Sequence, residues 1–179
     1  MRTSIALLRG INMLGRNQLP MQELVEALET LKVKNISTYI QSGNAVFQSS
    51  RPLGVTFGER LAKLIEVRRG FKPYVLVADA SIIEAAIAEN PFVVAEESAK
   101  TLHVYFLSAP ATRPDLAKMA LIQQPSEQFH LTDRFLYLHT PEGFGKSKLA
   151  ARIERLLGVP ATARNWRTTH KLAELIRGC

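Results

Sequence analysis

The chain has one cysteine among its 179 residues, Cys179, and it stands last. A single thiol excludes an intrachain disulfide and a cysteine-based metal cluster. Long apolar runs are missing too, and none approaches the ~20 residues a membrane-spanning helix needs. The opening Met-Arg-Thr-Ser-Ile-Ala-Leu-Leu-Arg-Gly holds only a few apolar residues before Arg9, too few for a secretory signal. His103, His130, His139 and His170 lack a close ligand spacing such as His-x-x-x-His. No serine lies in a Gly-x-Ser-x-Gly nucleophile elbow. The expectation is a soluble protein of a reducing, cytoplasmic compartment, with no metal, no cofactor and no membrane contact.

Hydrophobic residues make up 46% and charged residues 22%, an ordinary globular balance that argues against disorder. The net charge of +7 is unevenly spread. Residues 1–90 carry 11 Lys/Arg against 8 Asp/Glu, residues 91–142 carry 4 against 6, and residues 143–179 carry 8 against 2. A basic last fifth suits a phosphate-bearing partner, and it equally suits a charged, solvated helix surface.

The stretch Thr38 to Gln48 predicts a β-hairpin turning at Gly43-Asn44, a pair that supplies positive φ. Its strands are expected near Ile36–Gln41 and Ala45–Gln48. Before it, Ser4–Leu8 reads as a strand, and Met21, Leu24, Val25, Leu28 and Leu31 recur at helical spacing after Pro20. After it, a helix over residues 54–69 and a strand over 73–77 complete the order β-α-β-β-α-β. A connector helix over 82–88 follows. The pattern then restarts: a strand at 102–107, a helix opened by Thr112-Arg113-Pro114, and a hairpin around Thr132-Asp133. A helix over 146–157, a strand over 160–164 and a last helix over 166–177 finish it. The predicted fold is α+β, two ferredoxin-like βαββαβ units in tandem over residues 1–90 and 91–179, with an extra connector helix and a C-terminal helix.

Four segments carry a resemblance. They are Ala6-Leu7-Leu8-Arg9-Gly10-Ile11-Asn12, Tyr39-Ile40-Gln41-Ser42-Gly43-Asn44, Pro141-Glu142-Gly143-Phe144-Gly145-Lys146-Ser147-Lys148-Leu149 and Ala161-Thr162-Ala163-Arg164-Asn165-Trp166. With these in this order, the chain resembles the bacterial family of unknown function 1697. Leu14 departs from that family's pattern, which leads one to expect a glycine beside Gly15. The resemblance implies fold and compartment, and it transfers no catalytic residue.

Three constellations are candidate sites. Thr140 to Ser147 ends in Gly-Lys-Ser, so Gly143, Gly145, Lys146, Ser147 and Lys148 are expected to offer N–H groups and charge to an anion at a helix start. Thr140 replaces the first glycine of the nucleotide-binding loop pattern, and the preceding strand belongs to an antiparallel hairpin, which excludes a true NTPase. The competing reading is a glycine-rich turn capped by Ser147. Arg164, Asn165, Arg167 and Lys171 form a second basic helix start beside Trp166, suited to phosphate or carboxylate. There the alternative has Trp166 in the core and Asn165 as a cap. Arg9, Asn12, Arg16 and Gln41 are amides and arginines without carboxylates, which suits a polar or anionic ligand better than acid–base chemistry.

Alternation along two strands suggests one further surface. His103 and Tyr105, with Phe135, Tyr137 and His139, are expected to share a sheet face that either stacks bases or, the favoured reading, is buried by packing on the first unit or on a partner chain. The leading reading is therefore a non-catalytic binder of a phosphate-rich ligand, with nucleic acid the leading candidate. The alternatives are an enzyme acting on a small polar or anionic molecule in the cleft between the units, and an interaction module or homodimer.

Overall fold

The computed structural model of the chain describes residues 1–93, 95 and 98–178. Cys179 lies outside the described residues. Ile5 to Leu8 is apolar without a break because its strand, β1 (Arg2–Arg9), is buried on both faces. α1 (Met21–Thr30) follows, with Pro20 at its N-cap. β2 (Lys34–Tyr39) and β3 (Asn44–Ser49) form the hairpin, α2 spans Val55–Arg69, and β4 (Tyr74–Asp79) closes the sheet. Strand order is β2-β3-β1-β4, all antiparallel. α3 (Ser81–Ala88) comes next.

Leu24, Ala27 and Leu28 of α1 and Phe57, Leu61 and Ile65 of α2 pack on Ala6, Leu8, Ala45 and Phe47 of the sheet. Gly58 lets α2 lie close to β4, since a Cβ there would stand 2.7 Å from the Val75 carbonyl oxygen. Ile5, Leu7 and Val46, on the opposite face, are fully buried as well.

The second half repeats the order. β5 (Leu102–Leu107), α4 (Leu116–Ile122), β6 (Gln128–Leu131), β7 (Phe135–His139), α5 (Ile153–Leu157) and β8 (Ala161–Asn165) form a sheet ordered β6-β7-β5-β8, and α6 (Trp166–Arg177) ends it. Among the described residues the protein is thus α+β, with two four-stranded antiparallel sheets and six helices. Contacts divide the chain into Met1–Ala85 with the end of α6 from Lys171, and Ala86–His170.

Three expectations need correction. The first hairpin turns through four residues, 40–43, and Asn44 is the first residue of β3. Asn44 is fully buried opposite Leu7, and its Nδ2 donates to the Tyr39 carbonyl and to Ser42 Oγ. That claim on the backbone draws it out of the turn and into the ladder.

The expected helix over 146–157 is instead two short 3-10 turns, Phe144–Lys146 and Ala150–Arg152, ahead of a five-residue α5. Ser147 is extended (φ −74°, ψ 119°) and interrupts the run, and Arg152 (φ −123°) interrupts it again.

The five aromatic and histidine side chains do not share a face. In the register Val104 stands opposite Tyr137 and Tyr105 opposite Leu136, and directly opposed residues of an antiparallel pair lie on one side. His103 and Tyr105 therefore lie on the face packed by α4 and α5, while Phe135, Tyr137 and His139 lie on the other. Phe135 and Tyr137 are fully buried. Base stacking and a partner seam have no such surface to use.

Candidate functional site

The β3-to-α2 connection and the end of α1 build a groove in the first unit. Ser49 Oγ donates to the Arg51 carbonyl at 2.7 Å and turns the chain outward as β3 ends. Pro52 and Leu53 carry it to Gly54, whose carbonyl accepts from Phe57 N (3.0 Å) and Gly58 N (3.2 Å) to open α2. No side chain caps that helix start, and its first turn has no acidic residue. Facing it, α1 ends at Thr30, and Lys32 turns the chain in the left-handed region (φ +62°). The space between has a volume of about 670 Å³.

Lys32, Arg51 and Arg60 line it, and no aspartate or glutamate does. Among the described residues, none of the three cations is in an ion pair. Three positive charges beside the positive end of a helix make an attractive field for an anion. Lys32 also offsets the negative end of α1, which explains one cation of the three and leaves two arginines over.

The matching place in the second unit, between β7 and α5 beside the end of α4, is the Gly-Lys-Ser loop. Its chemistry differs. Ser126 Oγ donates to Glu142 Oε1 at 2.7 Å, so a carboxylate already sits there. The N–H groups of Gly143, Lys146 and Ser147 donate to the carbonyls of Thr140, Gly143 and Phe144. Ser147 is buried and its Oγ accepts from Ala150 N at 3.0 Å. Gly145, Lys146 and Lys148 are exposed. The Phe144 ring stacks on His103 with centroids 3.8 Å apart. Burial pushes the His103 imidazole down to about 4, and its Nδ1 is buried without a partner.

The other sequence-predicted residues divide by role. Asn12 and Gln41 come together: Asn12 Nδ2 donates to the Gln41 carbonyl at 2.7 Å and to the Leu19 carbonyl at 2.9 Å. Arg9 lies over the Tyr74 ring at 4.8 Å. Arg16 is exposed and pairs through its backbone with Met13 across a turn at Leu14-Gly15. Both turn residues have positive φ (+48° and +77°), which is why a glycine would suit position 14.

Asn165 caps α6, its Oδ1 accepting from Thr168 N at 2.8 Å, and Trp166 is buried with its ring edge-on to His170. Arg164 is buried opposite Val104 and donates to the Ala163 carbonyl, and desolvation pushes its guanidinium down to about 10. Arg167 is exposed, and Lys171 is exposed and paired with Glu174.

Sequence reasoning missed the groove because Lys32, Arg51 and Arg60 lie in no motif and meet only through the fold. The one local signal is the Ser49-Ser50-Arg51-Pro52-Leu53-Gly54 linker, which has polar turn residues and no acid. Among the described residues no cluster of histidine, cysteine and carboxylate could hold a metal, and no helix is long and apolar enough to cross a membrane.

A family profile described as "Protein of unknown function (DUF1697)" matches residues 1–137. The chain belongs to that family. The matched stretch contains the groove and the first two of the four family-like segments; the Gly-Lys-Ser loop and the Ala161–Trp166 segment lie beyond it. The solved structure of a conserved bacterial protein, SP0830 from Streptococcus pneumoniae, is similar with a TM-score of 0.68 and 23% identity, over 97% of this chain and 98% of that one. That likeness extends to the fold alone. No curated protein matches the chain.

Proposed function

We propose that the protein binds a phosphate-bearing ligand in the groove at the head of α2, without catalysing a reaction on it. The observation that carries this reading is the lining: Lys32, Arg51 and Arg60 with no carboxylate, none of them paired among the described residues. Arginine suits phosphate because its planar fork donates two parallel hydrogen bonds. The groove holds no histidine, cysteine, aspartate or glutamate, so its serine and threonine hydroxyls have no imidazole or carboxylate beside them to act as general base. Binding is the chemistry left to it.

The strand orders β2-β3-β1-β4 and β6-β7-β5-β8 support reading the two units as tandem ferredoxin-like folds. In that arrangement the α1–β2 and β3–α2 connections meet at one end of the sheet, where the groove lies.

Thermal unfolding at fixed ionic strength tests the proposal. Inorganic phosphate and pyrophosphate should raise the melting temperature with dose, as any ligand selective for the native state does. The double variant Arg51→Ser with Arg60→Ser should melt close to wild type without ligand and lose the response. An equal response in wild type and variant would remove the groove as the site.

A further inference from the structure

The lining of the groove specifies more than charge. Phe57, its one aromatic residue, is only 7% exposed and its ring stacks on Phe47 in the core at 5.6 Å. No ring is offered for a base to lie on, and stacking is what sequence-tolerant nucleic-acid grooves rely on. No asparagine, glutamine, aspartate or glutamate lines the site, so the usual bidentate partners of adenine and cytosine and the usual acceptor for a ribose hydroxyl are absent, and the side chains that could read guanine are the same three cations the phosphoryl group engages. The hydroxyls of Thr30 and Ser49 are committed to the carbonyls of Glu26 and Arg51, which leaves those of the exposed Ser50 and Thr56 to donate to a phosphoryl oxygen. Pro52, Leu53 and Val55, none of them fully buried, supply aliphatic lining beside the cations. The volume of about 670 Å³ falls within the ~300–1,000 Å³ typical of small-molecule sites.

Resting on the phosphate-binding reading above, we infer that the ligand is a small phosphomonoester with a compact aliphatic body, and that the groove is blind to nucleobases. The cations take the phosphoryl group, and the aliphatic side chains of Pro52, Leu53 and Val55 take the body.

Titration calorimetry with the full chain at constant ionic strength, using inorganic phosphate, butyl phosphate, adenosine monophosphate and single-stranded oligothymidine, tests this. Butyl phosphate should bind about tenfold more tightly than inorganic phosphate, the factor expected from burying two methylene groups. Adenosine monophosphate and oligothymidine should bind no more tightly than butyl phosphate. Leu53→Ser should reduce the butyl preference while leaving inorganic phosphate bound, which also shows that the variant is folded.

Tighter binding of the nucleotide or the oligonucleotide by about tenfold or more would overturn the inference and leave phosphate binding standing. Equal affinity for butyl and inorganic phosphate would do the same. Failure of all four probes would overturn both.

Discussion

Asn12 and Gln41 are 29 positions apart and joined by one hydrogen bond, from the Asn12 amide to the Gln41 carbonyl at 2.7 Å. The same amide group spans the loop after β1, donating to the Leu19 carbonyl and accepting from Leu19 N at 2.8 Å. Asn12 also sits at φ +51°, a conformation asparagine tolerates better than most residues. One side chain thus joins two of the family-like segments. Asn12→Ala removes three hydrogen bonds and is expected to lower stability by about 2–3 kcal/mol, measured by urea unfolding. A loss below about 0.5 kcal/mol would show the loop holding its shape without this tie.

Gly43 has two reasons to be glycine, and they can be separated. Its φ is +71°, and a Cβ would stand 2.6 Å from Leu8 Cβ and 2.8 Å from Ile11 Cδ1. Gly70 has nearly the same φ, +76°, with nothing within 4 Å. Gly70→Ala should therefore cost only the backbone strain, about 1 kcal/mol. Gly43→Ala should cost about 2–4 kcal/mol, the same strain plus overpacking. Equal losses in parallel denaturation curves would mean that Leu8 and Ile11 yield without penalty.

Much of the fold was legible because its signals are local. Periodicity located α1, α2 and α6 to within a residue or so of their bounds, and the turn residues Thr132-Asp133 marked the second hairpin. Pairing register is not local. The period of two along β5 and β7 says which residues of one strand share a face, and only Val104 opposite Tyr137 says how the two strands' faces match. The Gly-Lys-Ser loop misled for a related reason: Ser147 was legible as a cap, but the extended backbone that breaks the helix at Ser147 was not. The groove was illegible because its cations lie at positions 32, 51 and 60 on three different elements.

Tyr137 and Tyr105 bury their rings in the second unit but hold their hydroxyls differently. Tyr137 Oη donates to the Ala86 carbonyl at 2.8 Å, whereas Tyr105 Oη reaches the Ala150 carbonyl only at 3.4 Å. Ala86 lies in the last turn of α3, where helical carbonyls lack an intrahelical partner. Tyr137→Phe leaves that carbonyl orphaned and is expected to cost about 1–2 kcal/mol. Tyr105→Phe removes a long, weak bond and should cost less than about 0.5 kcal/mol. Reversal of that order in thermal or urea unfolding would contradict the assignment. Burial also raises both phenols above their ordinary range, so neither should ionise before the chain unfolds in alkali.

His103 supplies the pH dependence. Stacked on Phe144 with a buried, unpartnered Nδ1, it stays neutral in the folded chain down to about 4, against 6.5 for the free side chain. The sign follows from linkage. Between those two values the unfolded chain binds a proton that the folded chain refuses, so acid favours unfolding. The stabilisation is fully present above about pH 6.5 and is lost as pH falls toward 4. At about 1.4 kcal/mol per unit, the loss reaches up to about 3 kcal/mol. His103→Phe keeps a ring against Phe144 and removes the titration. Stability of wild type relative to this variant, from urea unfolding at pH 8, 6 and 5, should be constant at the alkaline end. It should then fall by about 1–2 kcal/mol by pH 5. A difference that stays flat across the series would mean that His103 takes up its proton equally in both states, and would end the argument for a desolvated imidazole beneath Phe144.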